Sequence, residues 1–403
     1  MAISRIPLWQ EDAPRRRPAL RSDLICPLCV IGGGIAGVSV ALHLARLGAS
    51  PVVVEARGIA SGASGRNGGF LIAGAAPFHN DARRLFGPEI ARRIHARSLL
   101  ALEQVVALAR ANGAADAIRR TGILRLAVDA AEAEHVREHA AALVADGFAG
   151  ELVGGDELPP AVRRPGRIGL LAGHDCAAQP ARVVRAIAAA AEAAGARFYE
   201  NTPVEPPRRD RRGWRVQAAR GAILADVVVV AADGSLPALA PQLAARVRAR
   251  RLHMVATAPV DREVLPAPIY ARYGYEYAQQ TADGRIAAGG FSDLDGAASY
   301  TDREQASPQV HDRLRAWIAD ELGVHEAVTH AWVGTVGYSD DLRPYAGAVD
   351  EGLYALGGYS GTGNLNGFAA GEIVAGLIAR GDDPDADLYA PSRATSSTTS
   401  STP

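Results

Sequence analysis

Three glycines, Gly32, Gly34 and Gly37, stand in the spacing G-x-G-x-x-G after a short apolar run, Leu28 to Ile31. Apolar residues at Ile35, Val38, Leu42 and Ala45 follow with helical periodicity. The chemistry this arrangement serves is the grip of a pyrophosphate. The first glycine permits a tight turn, the second lets backbone approach the phosphates, and the third brings helix against sheet. The helix N-terminus then offers free N–H groups to the anion. Gly48 stops the helix, Pro51 opens a second apolar strand, Val52 to Val54, and Glu55 ends it. A carboxylate at that point accepts hydrogen bonds from ribose hydroxyls. Strand, glycine turn, helix, strand and acid predict one βαβ unit that binds a dinucleotide. The pattern does not itself separate FAD from NAD.

Three distant segments make that choice. Ser61-Gly62-Ala63-Ser64-Gly65-Arg66-Asn67-Gly68-Gly69 lies just beyond the acid, and Val227 to Gly234 (VVVVAADG) reads as a buried strand ending in small residues. Gly357-Gly358-Tyr359-Ser360-Gly361-Thr362-Gly363-Asn364 opens the last helix. A glycine-rich turn at a helix N-terminus suits an anionic, electron-rich group such as the pyrimidine edge of a reduced flavin. In this order the segments resemble the D-amino-acid oxidase/glycine oxidase (DAO) superfamily of FAD-dependent oxidoreductases, and within it the γ-glutamylputrescine oxidoreductase-like branch. The resemblance covers nearly the whole chain, including the stretch Trp9-Gln10-Glu11-Asp12-Ala13-Pro14. It implies an α/β fold, a Rossmann-like FAD-binding domain with a mixed β-sheet (α+β) substrate domain, as in glycine oxidase. It implies Gly32, Gly34, Ile35, Ala36, Gly37, Glu55, Ala56 and Arg57 around the ADP half of FAD and Val204 at the adenine. Ala63, Ser64, Arg66, Asn67, Gly68 and Gly69 would run past the pyrophosphate and ring. Ala232 and Gly234 give a second approach to the nucleotide, and Gly361, Thr362, Gly363 and Asn364 lie near the ring's carbonyl edge.

The same resemblance implies oxidation of an amine C–N bond: a hydride leaves the α carbon for FAD, an imine results, and O2 takes the electrons to give H2O2. The alternatives are a dehydrogenase using an acceptor other than O2, a flavoprotein with structural FAD, and an NAD-linked dehydrogenase that carries only the glycine fingerprint. A period of two over Tyr270 to Gln279 puts Tyr273, Tyr275 and Tyr277 on one face of a strand. The equivalent strand roofs the substrate cavity in the glycine oxidase-like fold. These tyrosines, His253 in a preceding strand and Tyr359 beside the last glycine turn are therefore the candidate substrate-lining residues. Ordinary core packing competes with that role for each tyrosine, and a satisfied core histidine is the plainer reading of His253.

Departures from the family pattern narrow the substrate. Val336 stands where glycine oxidases carry an arginine that pairs the amino-acid carboxylate, and a second such arginine is replaced at about Gly361. An amine is thus expected in preference to a simple α-amino acid, with Arg343 read as a loop arginine. Every basic residue is arginine, so the lysine that promotes reaction with O2 in sarcosine oxidase-like relatives has no counterpart. Those relatives attach FAD through a cysteine in the C-terminal half. The last cysteine here is Cys176, so the FAD is expected to be non-covalent.

The elements that must position these groups follow from the remaining pattern. The 403 residues allow about two domains, and a formal net charge of -1 gives no footprint for nucleic acid. Three cysteines are too few for a disulfide framework, and no run reaches the roughly 18 apolar residues of a membrane helix. A cytoplasmic protein with a small-molecule amine as partner, and neither nucleic acid nor membrane, is expected. The oligomeric state is not legible. Helices are read over 85–112, 130–146 (on the surface), 181–195, 312–322 and 364–378, and a hairpin turn at Asp283-Gly284. Trp214 to Val216 and Ala222 to Leu224 suggest a hairpin before a separate strand, Val227 to Val230. The expected organisation is an arm over the surface (1–22), a discontinuous FAD-binding domain (23–85, 150–235 and 335–385), a substrate domain (86–149 and 236–334) and a disordered tail (386–403). No metal site is expected. Cys26 and Cys29 spell C-x-x-C but belong to a strand, and His135 with His139 lack a third ligand. His174-Asp175-Cys176 precedes a helix and is a candidate for approaching the flavin domain.

Overall fold

The computed structural model describes residues 3–12 and 16–393. These form two compact units, one of Met1–Pro14, Ala60–Ala186 and Arg251–Thr335, the other of Arg15–Ile59, Ile187–Arg250 and Val336–Pro403. They are called the first and second units below.

The second unit is built on parallel strands that are apolar on both faces, the signature of a sheet covered on each side. Leu24–Ile31 lies between Gly221–Val230 and Val52–Val54, and Val52–Val54 is flanked in turn by Arg197–Tyr199, all parallel. Gly221–Val230 is one continuous strand, not the two expected. Its first half closes a hairpin with Gly213–Ala218, and its last residues run parallel to Leu353–Gly357. The helices Ile35–Arg46 and Gly363–Arg380 pack together closely enough that a Cβ on Gly371 would lie 2.6 Å from the Ser39 side chain. The Ser39 hydroxyl donates to the carbonyl of Phe368 at 2.6 Å, so a small residue on each helix is what allows the approach.

The first unit holds most of an eight-stranded sheet in the order Val328–Ser339, Val247–Thr257, Ile286–Gly290, Glu276–Gln280, Ile269–Ala271, Ile123–Leu126, Ile168–Ala172, Glu151–Gly154. Side-chain alternation divides its faces. Leu124, Leu126, Ile269, Ala271, Ala278, Ile286, Ala288 and Val255 form one core with Val310, Leu314, Trp317 and Ile318 of the helix Pro308–Leu322. Residues of opposite parity, Arg125, Tyr270, Tyr277 and Gln279, belong to the other face. The hairpin turn at Asp283-Gly284 is present, with Gly284 at φ +88°.

Several expected boundaries shift. Residues 60–85 and 150–186 fall in the first unit and 236–250 in the second, because pairing there is long-range: Phe70–Leu71 pairs with Cys176–Ala178, and Ile168–Ala172 with Ile123–Leu126. The 85–112 helix is two, His79–Phe86 and Pro88–Ala111, broken at Gly87 (φ +87°). The helix Ala130–Ala145 is not a surface decoration, since Val136, His139, Ala140 and Leu143 are buried. Trp9 of the N-terminal arm is buried too. The chain stays ordered beyond 386: Ala386–Tyr389 is helical, and buried Tyr389 donates to Asn366 Oδ1 at 2.7 Å. The rest of the expected tail, from 394, lies outside the described residues.

Among the described residues, no helix is long and apolar enough to cross a membrane.

Candidate active site

In the second unit the glycine turn has the geometry its spacing predicts. Gly32 sits at φ +114°, and a Cβ there would lie 2.4 Å from the Ala231 carbonyl oxygen. A Cβ on Gly37 would lie 2.0 Å from the carbonyl oxygen of Gly32. Gly34 is the N-cap of the helix Ile35–Arg46, with Ile35 and Ala36 buried behind it. That helix has no side-chain cap and no acid in its first turn, so its N-terminus suits an anion. Glu55 follows the second strand. Its Oε2 accepts the N–H of Gly33 at 2.7 Å, and its Oε1 accepts the N–H of Arg57 at 2.9 Å. Burial pushes the Glu55 carboxyl up, against those two N–H donors. Each oxygen keeps a lone pair for a further donor, as a ribose diol requires. Ala56 and Arg57 are exposed. Val204 is half-buried and bridges to Ala218 beside the core of this unit.

The last glycine turn is fixed from below by a residue the sequence reading passed over. Asp233, between Ala232 and Gly234, accepts the N–H of Gly337 at 3.0 Å through Oδ2 and that of Gly358 at 3.0 Å through Oδ1. Burial pushes its carboxyl up to about 6, while N–H groups of Gly337, Gly358, Tyr359 and Gly234 act the other way. The helix Gly363–Arg380 begins with neither an acid in its first turn nor a side-chain cap, because the Thr362 hydroxyl is spent on the Tyr359 carbonyl at 2.9 Å. Gly361 (φ +96°) and Asn364 stand at this end. Tyr359, a candidate substrate-lining residue, is buried. Its ring lies against Gly363 and Gly367, and its hydroxyl is buried without a partner.

In the first unit the segment 61–69 is lashed by side chains onto the tyrosine face. Trp9 Nε1 donates to the Asn67 carbonyl at 2.8 Å, and Trp332 Nε1 to that of Arg66 at 2.8 Å. Gln10 Nε2 reaches the carbonyls of Ala60 and Gly65, and Gln279 Nε2 that of Gly68 at 2.5 Å. Asn67 turns back on its own loop, donating to Ala63 and Ser64 carbonyls and accepting the N–H of Gly69 at 2.8 Å. Arg66 is committed to Ser61, Val333 and Glu304. Arg66 and Asn67 therefore shape the loop. At Gly68 a Cβ would crowd the rings of Phe70 and Tyr277 at 3.0 and 3.1 Å, and Gly69 stands at φ +75°.

The tyrosines depart from expectation. Tyr270 to Gln279 is a hairpin, not one strand. Ile269–Ala271 pairs antiparallel with Glu276–Gln280, and Arg272, Tyr273 and Gly274 make the turn at φ +48°, +54° and +89°. The three tyrosines thus share no face. Tyr273 is exposed at the turn and Tyr275 caps it, while Tyr277 sits opposite Tyr270 with rings stacked at 6.0 Å. Phe70 meets both edge-on, at 5.7 and 6.1 Å. His253 has the wrong parity: it faces the covering helix, fully buried against His311, with Nε2 accepting the Ser307 N–H at 3.0 Å. Burial pushes it down to about 4. It is a core histidine. Tyr270 and the Trp9, Gln10, Trp332 and Gln279 clasps were missed, and their signal is long-range pairing rather than any local motif.

The remaining candidates resolve simply. Cys26 and Cys29 are free and buried, and burial pushes Cys26 up to about 11 and Cys29 well above the usual thiol range. His139 Nδ1 accepts the N–H of His79 at 2.8 Å, and His135 lies 2.7 Å from Asp81. Arg343 stands in a loop beside Asp341. Among the described residues no group of three or more His, Cys, Asp or Glu is placed to hold a metal.

Comparison with known proteins agrees with this geometry. The family model of the FAD dependent oxidoreductases (DAO) matches residues 27–377. A probable oxidoreductase OrdL from Rhizobium meliloti is 28% identical over 94% of this chain and 90% of its own. The gamma-glutamylputrescine oxidoreductase of Escherichia coli is 28% identical over 92% of this chain and 87% of its own. Among solved structures, glycine oxidase from Geobacillus kaustophilus superposes with a TM-score of 0.78 at 20% identity, covering 93% of this chain and 100% of that one. L-proline dehydrogenase from P. horikoshii gives 0.74 at 22% identity over 93% and 97%. With a family model matching residues 27–377, the chain belongs to the DAO family of FAD dependent oxidoreductases.

Proposed function

We propose that the chain oxidises the C–N bond of an amine, with FAD held non-covalently. The second unit would serve as the FAD-binding domain and the first as the substrate domain. When bound, FAD supplies the acceptor for a hydride leaving the carbon next to nitrogen. The Gly32–Gly37 turn would hold the pyrophosphate, Glu55 the ribose, and the N-terminus of Gly363–Arg380 the electron-rich edge of the ring. The observation that carries the substrate side is the clasped loop 61–69 lying against the stacked pair Tyr277 and Tyr270. A flavin-adjacent loop that abuts an aromatic face provides an apolar wall along which an alkyl amine is oriented and water excluded. Support for an amine comes from the name of one relative, the gamma-glutamylputrescine oxidoreductase, and from Val336, which cannot pair a carboxylate.

The test is anaerobic: the purified protein is mixed with primary amines, secondary amines and α-amino acids, and loss of flavin absorbance is followed. Bleaching by amines in preference to α-amino acids is expected. A stoichiometric flavin that none of them bleaches would show FAD to be structural. Readmitting air separates oxidase from dehydrogenase by the yield of H2O2. The absence of lysine favours slow reoxidation by O2 and fast reoxidation by an added electron acceptor.

Glu55→Gln is expected to weaken FAD binding about 10- to 100-fold, because charge-assisted bonds to the ribose become neutral ones. Fluorescence quenching of FAD titrated with apoprotein measures this.

A further inference from the structure

The tyrosine face carries a cation that forms no ion pair among the described residues. Arg125, in the strand Ile123–Leu126, stands opposite Tyr270, and Tyr270 stands opposite Tyr277. Its guanidinium is half-buried between two rings, 5.3 Å from the centroid of Tyr270 and 5.4 Å from that of Phe78. Its N–H donors are not consumed: among the described residues it makes neither an ion pair nor a hydrogen bond. Of the surrounding titratable groups only the Asp175 carboxyl feels its charge favourably, without pairing with it. Asp175 gives its Oδ1 to the N–H of Ala73 at 2.9 Å and lies 3.3 Å from His174. Burial pushes His95 down to about 3 and His139 and His174 down as well, and the charge of Arg125 acts in the same direction on His95 and His139. Arg125 is thus the permanent positive charge in a neighbourhood of neutral imidazoles.

We propose that Arg125 recognises an anionic group, a carboxylate, on the far end of the amine substrate. The assignment rests on the reading that the loop 61–69 borders the flavin. Tyr277 is the ring that touches this loop, and Arg125 stands two strands further along the sheet, about 10 Å away. A carboxylate on the carbon that bears the nitrogen does not span that distance, whereas one several bonds along the chain does. This accounts for Val336: the substrate's anion is read from the sheet face, not from the position used for α-amino acids. A planar guanidinium held by two rings is pre-organised for a bidentate carboxylate.

The experiment is calorimetric titration of the holoenzyme with glutarate and with glutaramide, its uncharged analogue. Glutarate is expected to bind about 10- to 100-fold more tightly. Arg125→Gln should abolish that difference while FAD content reports that the variant is folded, and Arg125→Lys should restore part of it. Glutarate that fails to bind the wild type, or that binds Arg125→Gln equally well, overturns the assignment. In parallel, the preference for γ-aminobutyrate over butylamine in anaerobic flavin bleaching should fall toward unity in Arg125→Gln, and an unchanged preference also overturns it. If glutarate binding depends on Arg125 while no amine bleaches the flavin, the anion site stands and the C–N reading fails.

Discussion

Gly37→Val yields a colourless protein, carrying less than about a tenth of stoichiometric FAD. The added Cβ would lie 2.0 Å from the Gly32 carbonyl oxygen and 3.0 Å from its carbon. Those are backbone atoms of the turn itself, so no flexible side chain can give way. The helix Ile35–Arg46 must move off the sheet, and the N–H groups at its N-terminus, proposed to hold the pyrophosphate, move with it. Overpacking of this kind costs about 1–3 kcal/mol even where neighbours relax, and here they are held by the parallel strands on either side. Gly173→Ala is the control, since a Cβ there meets nothing within 4 Å, and it should keep its flavin. Absorbance of the purified variants and their thermal midpoints check both. A yellow Gly37→Val protein with the wild-type midpoint would remove the turn from cofactor binding.

The second large effect is a pH dependence. Burial pushes the Asp175 carboxyl from an ordinary 3.8 up to about 7, with the Ala73 N–H and Arg125 opposing. A raised folded pKa means that the protonated acid suits the fold. Its contribution is complete below pH 3.8 and is lost as pH rises through about 7. Asp175→Asn keeps an oxygen for Ala73 and never ionises. Relative to wild type it should therefore gain stability with rising pH, from about 1 kcal/mol at pH 4.5 to about 4 kcal/mol by pH 8. Comparing the two proteins isolates this residue, because the buried histidines pull the other way. His79, His95, His139, His174, His253 and His311 all have lowered pKa values, so their contribution is lost as pH falls below their usual range. That slope is common to both proteins and cancels, apart from His174, which lies 3.3 Å from Asp175. Urea midpoints across this pH range measure the difference, and parallel curves would show that Asp175 is not the buried neutral acid described.

What could be read in advance was whatever the chain writes locally. The glycine spacing, the apolar runs of the parallel strands, the Asp283-Gly284 turn and the last helix each follow from a few adjacent residues, and each appears where expected. The tyrosine stretch failed because alternating aromatics imitate a strand. Gly274 was the overlooked signal, since a glycine inside a strand pattern marks a bend. A Cβ there would lie 2.4 Å from the ring of Tyr270, which the hairpin folds back against it. His253 failed for a subtler reason. A strand position gives parity but not which face carries the helix, and Pro308–Leu322 covers the histidine's side. Arg125 and Asp233 were invisible because their meaning lies in partners far along the chain. One stands opposite Tyr270 on a neighbouring strand, and the other bonds to Gly337 and Gly358.

The central claim is that electrons leave a carbon next to nitrogen and arrive on FAD held by this chain. Single-turnover anaerobic bleaching of the bound flavin by an amine, compared with the same amine deuterated at the α carbon, tests it most directly. A several-fold slower bleaching with deuterium, and one carbonyl product per flavin after hydrolysis, is the expected result. Bleaching that no amine produces, or that ignores the deuterium at every concentration, would contradict it.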